Sequence, residues 1–193
     1  MKENIILVDC DGVMCDWEYA FTQFMHHKGF LTFDSTAYTV GERFNFTREQ
    51  GRTFVEEFNN SAAIGFLPPL RDSVYYVKRL NMLHGYKFHC ITSLSTNRYA
   101  QKLRIQNLEL LFGKEVWEDF IFLKCGADKD EALAEYKDTG CFWIEDKTEN
   151  ARVGDRLGLN SILVAHTHNK DESWDIPRYW SWKEIYKHII GEI

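Results

Sequence analysis

The sequence predicts an α/β protein built as a three-layer sandwich around a central parallel sheet. The first run of apolar residues, Ile5-Ile6-Leu7-Val8, is apolar without alternation, as suits a strand covered on both faces. From Asp72 onward, short apolar runs alternate with stretches of helical period, the pattern that calls for parallel strands with helices on either side. Residues 29–69 interrupt this regularity, being rich in Phe, Tyr, Thr, Asn and Gly and ending at Pro68-Pro69. They are read as a small, mostly helical cap inserted after the first strand, with 1–28 and 70–193 forming the core.

In chain order, Asp16 to Lys28 reads as a helix, since Trp17, Phe21, Phe24 and Met25 recur at helical spacing. Within the cap, Thr47 to Asn59 reads as a short helix. Val74, Val77 and Leu80 mark a helix that ends near His84-Gly85, and Phe88 to Ile91 is a strand closing in Thr92-Ser93. Tyr99–Phe112 is expected as helix, Asp119–Leu123 as strand, Asp128–Tyr136 as helix, Cys141–Ile144 as strand, Thr148–Leu157 as helix and Ser161–Val164 as strand. The tail from Trp174 carries Trp180 and Trp182 and ends in a helix through Ile190; its tryptophans suit packing or a homodimer contact equally. No internal repeat or low-complexity stretch is visible.

The 193 residues fit one domain with a small insertion. Lys+Arg 23 against Asp+Glu 29 gives a net charge of -6 without a long basic run, which disfavours a nucleic-acid polymer as partner. No run approaches membrane-spanning length, and the N-terminus lacks the apolar core of a secretory signal. Cys10, Cys15, Cys90, Cys125 and Cys141 are odd in number and lie in or beside predicted strands, so free thiols and a cytoplasmic location are expected.

Chemistry gathers where the strands end, because ligands of open parallel sheets bind beyond the carboxyl ends of the strands. The first strand delivers Asp9 and Asp11, followed by Gly12. Two acids so close repel, and a hard divalent cation such as Mg2+ is the ordinary remedy; the plain alternative is an Asp-Gly turn. The second strand delivers Thr92 and Ser93, suited to an anion or to capping a helix. Asp128 and Glu131 have the spacing of a capping box, which places Lys129 in a first helical turn, unfavourable for a lysine unless an anion is bound there. Lys124 competes for the same role. Glu145-Asp146 ends a further strand with two more acids, and such a cluster is expensive unless it holds a cation.

Asp9-x-Asp11-Gly12-Val13, Ile91-Thr92-Ser93, Lys129 and Glu145-Asp146 resemble, in order and strand position, the four motifs of the haloacid dehalogenase-like superfamily. More narrowly, Asp9 to Trp17, Phe66-Leu67-Pro68-Pro69-Leu70 and Ile162-Leu163-Val164 with His168-Asn169 resemble segments of the 5'(3')-deoxyribonucleotidases. The resemblance implies a Rossmann-like core and a Mg2+-dependent phosphomonoester hydrolase whose substrate is a small phosphorylated compound, a (deoxy)nucleoside monophosphate. It implies Asp9 as nucleophile, Asp11 as general acid and base, and Mg2+ held by Asp9, the Asp11 carbonyl and Asp146. Thr92, Ser93 and Lys129 would hold the phosphate, and Trp17 would meet the base, with Phe44 and Phe46 as further candidates that core packing explains as well. Two positions depart from the family pattern: Glu145, in a supporting role beside the metal, replaces the usual aspartate, and Thr96 stands where a lysine is common.

Other readings share parts of this pattern. A dehalogenase needs the nucleophile but neither Mg2+ nor a second acid at position 11. A phosphotransferase, or a phosphatase of another metabolite, would share the whole core, and a non-catalytic phosphate or nucleotide sensor would have no need of the Asp9 and Asp11 pair. A zinc site using His166 and His168 lacks an accompanying Cys-x-x-Cys, which leaves them as ordinary loop histidines.

Overall fold

The computed structural model describes residues 4–37, 39–170 and 175–193; Trp174, where the predicted tail begins, lies outside them. Six parallel strands form one sheet: β1 (Ile5–Val8), β2 (Lys87–Ser93), β3 (Trp117–Leu123), β4 (Phe142–Glu145), β5 (Asn160–Val164) and β6 (Arg178–Tyr179). Their order across the sheet is β3-β2-β1-β4-β5-β6, a Rossmann-like arrangement. β6, only two residues long, is too short to leave a periodic trace in the sequence.

β1 shows why the run Ile5–Val8 is apolar throughout. Ile6 and Val8 pack with Phe88, Cys90, Ile144 and Trp182 on one side of the sheet, whereas Ile5 and Leu7 pack with Ile91, Leu133, Trp143 and Val153 on the other. Successive side chains of a strand point to opposite faces, so each face of β1 meets its own core. Pairing sets Val8 beside both Cys90 and Ile144, which brings Asp9, Thr92 and Glu145 out at one edge.

The predicted helices are present with small changes of boundary: α1 (Trp17–His27), α3 (Arg48–Asn59), α4 (Ser73–His84), α5 (Arg98–Phe112), α7 (Thr148–Arg156) and α8 (Trp182–Ile189). α2 (Val40–Phe44) was not anticipated, because five residues are too few to display a helical period. Asp16 caps α1 by accepting from the Tyr19 amide, and Thr47 with Gln50 forms a complete capping box at α3. α4 stops at Gly85, whose φ of 71° is the left-handed conformation that glycine adopts without penalty.

α6 (Asp130–Ala134) is shorter than the predicted Asp128–Tyr136. Asp128 is not its cap. Lys129 holds that position without a side-chain capping bond, its ammonium being drawn instead to Asp9 and Glu145.

The chain enters and leaves the segment 29–69 along paired strands of backbone. The Asp16 amide donates to the Pro68 carbonyl at 2.9 Å, and the Leu70 amide to the Met14 carbonyl at 2.9 Å. Trp182 of the tail is buried and donates its indole N–H to the Val13 carbonyl at 2.9 Å, a packing role. Among the described residues, no helix is long and apolar enough to cross a membrane.

α7 lies close on the sheet because Gly154 has no side chain. A Cβ there would stand 2.5 Å from Trp143 Cδ1 and 2.6 Å from Ser161 Oγ, both inside packed strands. Gly154→Ala should therefore destabilise the fold by about 1–3 kcal/mol through overpacking, read as a lower urea midpoint with an unchanged slope. A midpoint raised by the helix propensity of alanine would contradict this packing.

Candidate active site

Asp9 continues β1 by one residue, its amide bonded to the Ile144 carbonyl at 3.0 Å. Both of its carboxyl oxygens are held: the Cys10 amide donates to Oδ1 at 2.7 Å and Lys129 Nζ to Oδ2 at 2.8 Å. The same ammonium meets Glu145 Oε2 at 2.8 Å, and Asp9, Lys129 and Glu145 are all buried. Lys124 is exposed, so of the two candidate lysines only Lys129 reaches the site.

Glu145 is occupied by the protein itself. Its Oε1 accepts from the amides of Asp146 and Lys147, and its Oε2 from Lys129 and Asn150. Burial opposes its ionisation, but the Lys129 charge and these donors win and bring its pKa down to about 2. Asp9 moves the other way. Burial, with Glu145 and Asp11 nearby, outweighs Lys129 and raises it to about 7. Asp146 is driven well above the carboxylate range by burial and by Glu145.

Gly12 turns the chain with a φ of 74° and leaves Asp146 its place. A Cβ at position 12 would stand 2.8 Å from Asp146 Cγ, so any side chain there would displace that carboxylate. Asp146 Oδ1 is buried without a hydrogen-bond partner among the described residues. Ligand atoms of Asp9, Glu145 and Asp146 lie within 4.8 Å of one another. An unpartnered buried oxygen, a glycine cradle and carboxylates that resist ionisation fit a hard cation, and an all-oxygen donor set suits Mg2+. Because Glu145 is saturated by its own donors, Asp9, Asp146 and backbone carbonyl oxygen are the groups left to hold such an ion.

Thr92 Oγ1 is buried, lines the cavity and has no hydrogen-bond partner among the described residues, which fits an anion acceptor. Ser93 differs, since its hydroxyl already donates to the Ala127 carbonyl at 2.9 Å. Thr96 is exposed and does not line the cavity.

The cavity of about 600 Å³ is bounded below by Asp9, Asp11, Thr92, Lys129 and Asp146, and across from them by Trp17, Phe21, Val40, Arg43, Val55 and Asn59. Trp17 stacks on Phe21 with centroids 4.7 Å apart and donates to Asn59 Oδ1 at 3.1 Å. Phe44 and Phe46 do not line it. Phe44 meets Phe21 edge-on, and Phe46 packs between Phe30 and Phe54, so the reading that sets them against a substrate gives way to packing.

Three contributors were not foreseen in their roles. His166 Nε2 donates to the Gly12 carbonyl at 2.6 Å; burial, only partly offset by that bond, lowers its pKa to about 4, so it stays neutral near pH 7. Asn169 Nδ2 donates to the carbonyls of Asp146 and Val164. His166 and His168 lie outside the metal-ligating group found among the described residues, and His168 Nε2 lies 3.1 Å from the Asp146 carbonyl. The third is Arg104, fully buried on α5, whose Nη1 reaches Asp11 Oδ1 at 2.5 Å. Its signal was available, since Ala100, Arg104 and Leu108 share one face, which places a charge among buried positions. Asp11 is raised to about 6, because burial outweighs the opposing Arg104 charge.

The fold is that of the haloacid dehalogenase-like hydrolases. A haloacid dehalogenase-like family hydrolase from Streptococcus pneumoniae superposes with a TM-score of 0.64 at 13% identity, covering 97% of this chain and 99% of its own. The L-2-haloacid dehalogenase of Xanthobacter autotrophicus, with chloropropionic acid covalently bound, gives 0.64 at 8% identity over 98% and 99%. CbbY from Rhodobacter sphaeroides, in complex with phosphate, gives 0.59 at 16% identity over 94% and 96%. In sequence, an uncharacterized 32.4 kDa protein of the Gp30-rIII intergenic region of Enterobacteria phage T4 is 26% identical over 184 residues. That match takes in 91% of this chain but only 59% of the phage protein. No protein-family model matches the chain.

The raised carboxylates make the cation test independent of any activity. Asp9 titrates near 7 when folded and about 3.9 when unfolded. Between those values the native chain binds more protons than the unfolded one, so stability falls as pH rises through that window. Mg2+ binds the deprotonated form and should raise Tm more at about pH 8 than at about pH 5. Equal shifts at both, or none, in thermal melts against EDTA would remove the cation from this site.

Proposed function

We propose that this chain is a Mg2+-dependent phosphomonoester hydrolase that works through an aspartyl phosphate on Asp9 and acts on (deoxy)nucleoside monophosphates. The observation that carries the reading is that Asp9 and Asp11 line one cavity with Lys129, Asp146 and the unpartnered Thr92 hydroxyl. A dehalogenase has no task for Asp11 or for the Gly12–Asp146 cradle.

Donors to both oxygens of Asp9 fix its carboxylate for in-line attack on phosphorus. A divalent cation held by Asp9, the Asp11 carbonyl and Asp146 would neutralise charge on the phosphoryl oxygens. Lys129 and Thr92 supply the remaining positive potential and hydrogen bonding. Asp11, raised toward neutrality, protonates the departing alkoxide and then takes a proton from the water that hydrolyses the acyl phosphate.

The size and the wall of the cavity support the substrate. About 600 Å³ accommodates a nucleotide-sized molecule, and Trp17, Phe21, Val40 and Val55 form an apolar surface opposite the carboxylates, with Arg43 and Asn59 for polar edges.

With Mg2+, nucleoside 5'- and 3'-monophosphates, ribo and deoxy, should release phosphate faster than sugar phosphates do, and a 2-haloacid should release no halide. Halide release, or a preference for sugar phosphates, would overturn the respective part of the reading. Asp9→Asn should bring turnover to background while the chain still folds, seen as a single cooperative melt with a shifted midpoint. Asp11→Asn should slow a nucleoside ester by roughly 10²–10⁴-fold, the range of general acid catalysis, yet slow p-nitrophenyl phosphate far less.

A further inference from the structure

Arg104 is the one fully buried arginine among the described residues, and unlike Asn107, whose amide is satisfied by the Leu67 backbone, it leaves donors unmet. Its neighbours on that face, Ala100 and Leu108, are apolar and buried. Nη1 donates to Asp11 Oδ1 and to Cys10 Sγ, each at 2.5 Å. Nε and Nη2 are buried without hydrogen-bond partners among the described residues. Burying a guanidinium with three of its five N–H donors unmet is unfavourable, and an apolar residue in its place would ordinarily stabilise such a helix face. A charge kept at that expense directly beneath a candidate proton carrier has a specific consequence.

We propose that Arg104 is a positioning residue for Asp11, fixing its carboxyl through Oδ1 so that Oδ2 is the oxygen that gives and takes the proton. This rests on the phosphomonoesterase reading above. A guanidinium has donors and no acceptor, so Oδ1 cannot carry a proton toward it. The proton of the acid form therefore sits on Oδ2, which has no hydrogen-bond partner among the described residues and is left for the cavity that Asp11 lines. In the first step the Asp9 oxygen bonds to phosphorus, the ester P–O bond breaks, and the Oδ2 proton passes to the alkoxide. In the second, water oxygen bonds to phosphorus, the bond to Asp9 breaks, and a water proton returns to Oδ2. The carboxylate present between the two steps forms against a charge that is already in place, so nothing needs to reorganise.

Kinetics on Arg104→Met, Arg104→Lys, Asp11→Asn and the double variant D11N/R104M separate positioning from a structural role. R104M should lower kcat for a nucleoside monophosphate by roughly 10- to 100-fold, a share of the general-acid contribution, with KM within about twofold and p-nitrophenyl phosphate barely affected. R104K should recover most of the loss, and adding R104M to D11N should cost nothing further. Equal losses on both esters, or a full additional loss in the double variant, would overturn the proposal.

If R104M does not fold, guanidinium NMR of the unmodified chain and of Asp11→Ala, which removes the acceptor, decides the matter. Hindered rotation at Arg104 must be present in the first and measurably eased in the second; free rotation in the first, or equal hindrance in both, overturns the pairing. The NMR arm needs no turnover, so a chain inactive on every ester would sink the functional reading while the pairing is still judged separately.

Discussion

Charge balance at the sheet's carboxyl edge is the constraint to which the rest of the structure answers. Asp9, Asp11, Glu145 and Asp146 face two buried cations, Lys129 and Arg104. The pairing is uneven: Arg104 answers Asp11, whereas Asp9 and Glu145 share one ammonium. Fully ionised, the six groups leave two negative charges in excess, the charge of one divalent cation. Without that cation the cluster can lower its energy by protonating, and Asp9, Asp146 and Asp11 are the groups pushed that way. Glu145 stays ionised because its longer side chain reaches two backbone amides as well as Lys129, a reach that gives the departure from aspartate a purpose.

Topology is what allows groups so distant in sequence to meet. β1 lies between β2 and β4, so Asp9 has Thr92 on one flank and Glu145-Asp146 on the other. The strand order reverses at β1, and at such a switch point adjacent loops diverge and leave a crevice. The last flank is closed by the loop after β5, where His166 and Asn169 grip the carbonyls of Gly12 and Asp146. These bonds hold the two acidic loops at a separation that only glycine at position 12 permits.

What could be read in advance follows from which physical signals are local. The uniform burial of Ile5–Val8, the stop at Gly85 and the box of Thr47 with Gln50 each write themselves into a few neighbouring residues. The acids at the strand ends were legible because each follows an apolar run. Lys129 was found by a helix-dipole argument, although the helix start that argument assumed lies two residues later than expected. Phe44 and Phe46 could not be assigned, because an aromatic that lines a cavity and one that packs on Phe21 or Phe54 have the same sequence signature. Arg104 is non-local in the strict sense, its partner lying 93 residues away.

The same loop that carries the chemistry also anchors the segment that walls the cavity. Asp11 pairs with Cys15 in an isolated bridge, and Cys15 pairs in turn with Pro69, where the chain returns from the 29–69 segment. Trp17 and Phe21 begin the helix that follows immediately, and Asn59 at the end of α3 ties Trp17 to the Leu94 carbonyl beyond β2. Only six residues of chain thus separate the aromatic wall from the backbone of Asp11. Arg104 meets Asp11 from the other side, through a short charge-assisted bond to its carboxyl. If the chain is the phosphomonoesterase proposed above, discrimination among leaving groups and proton delivery to them become properties of one connected unit, running from Trp17 through Asp11 to Arg104.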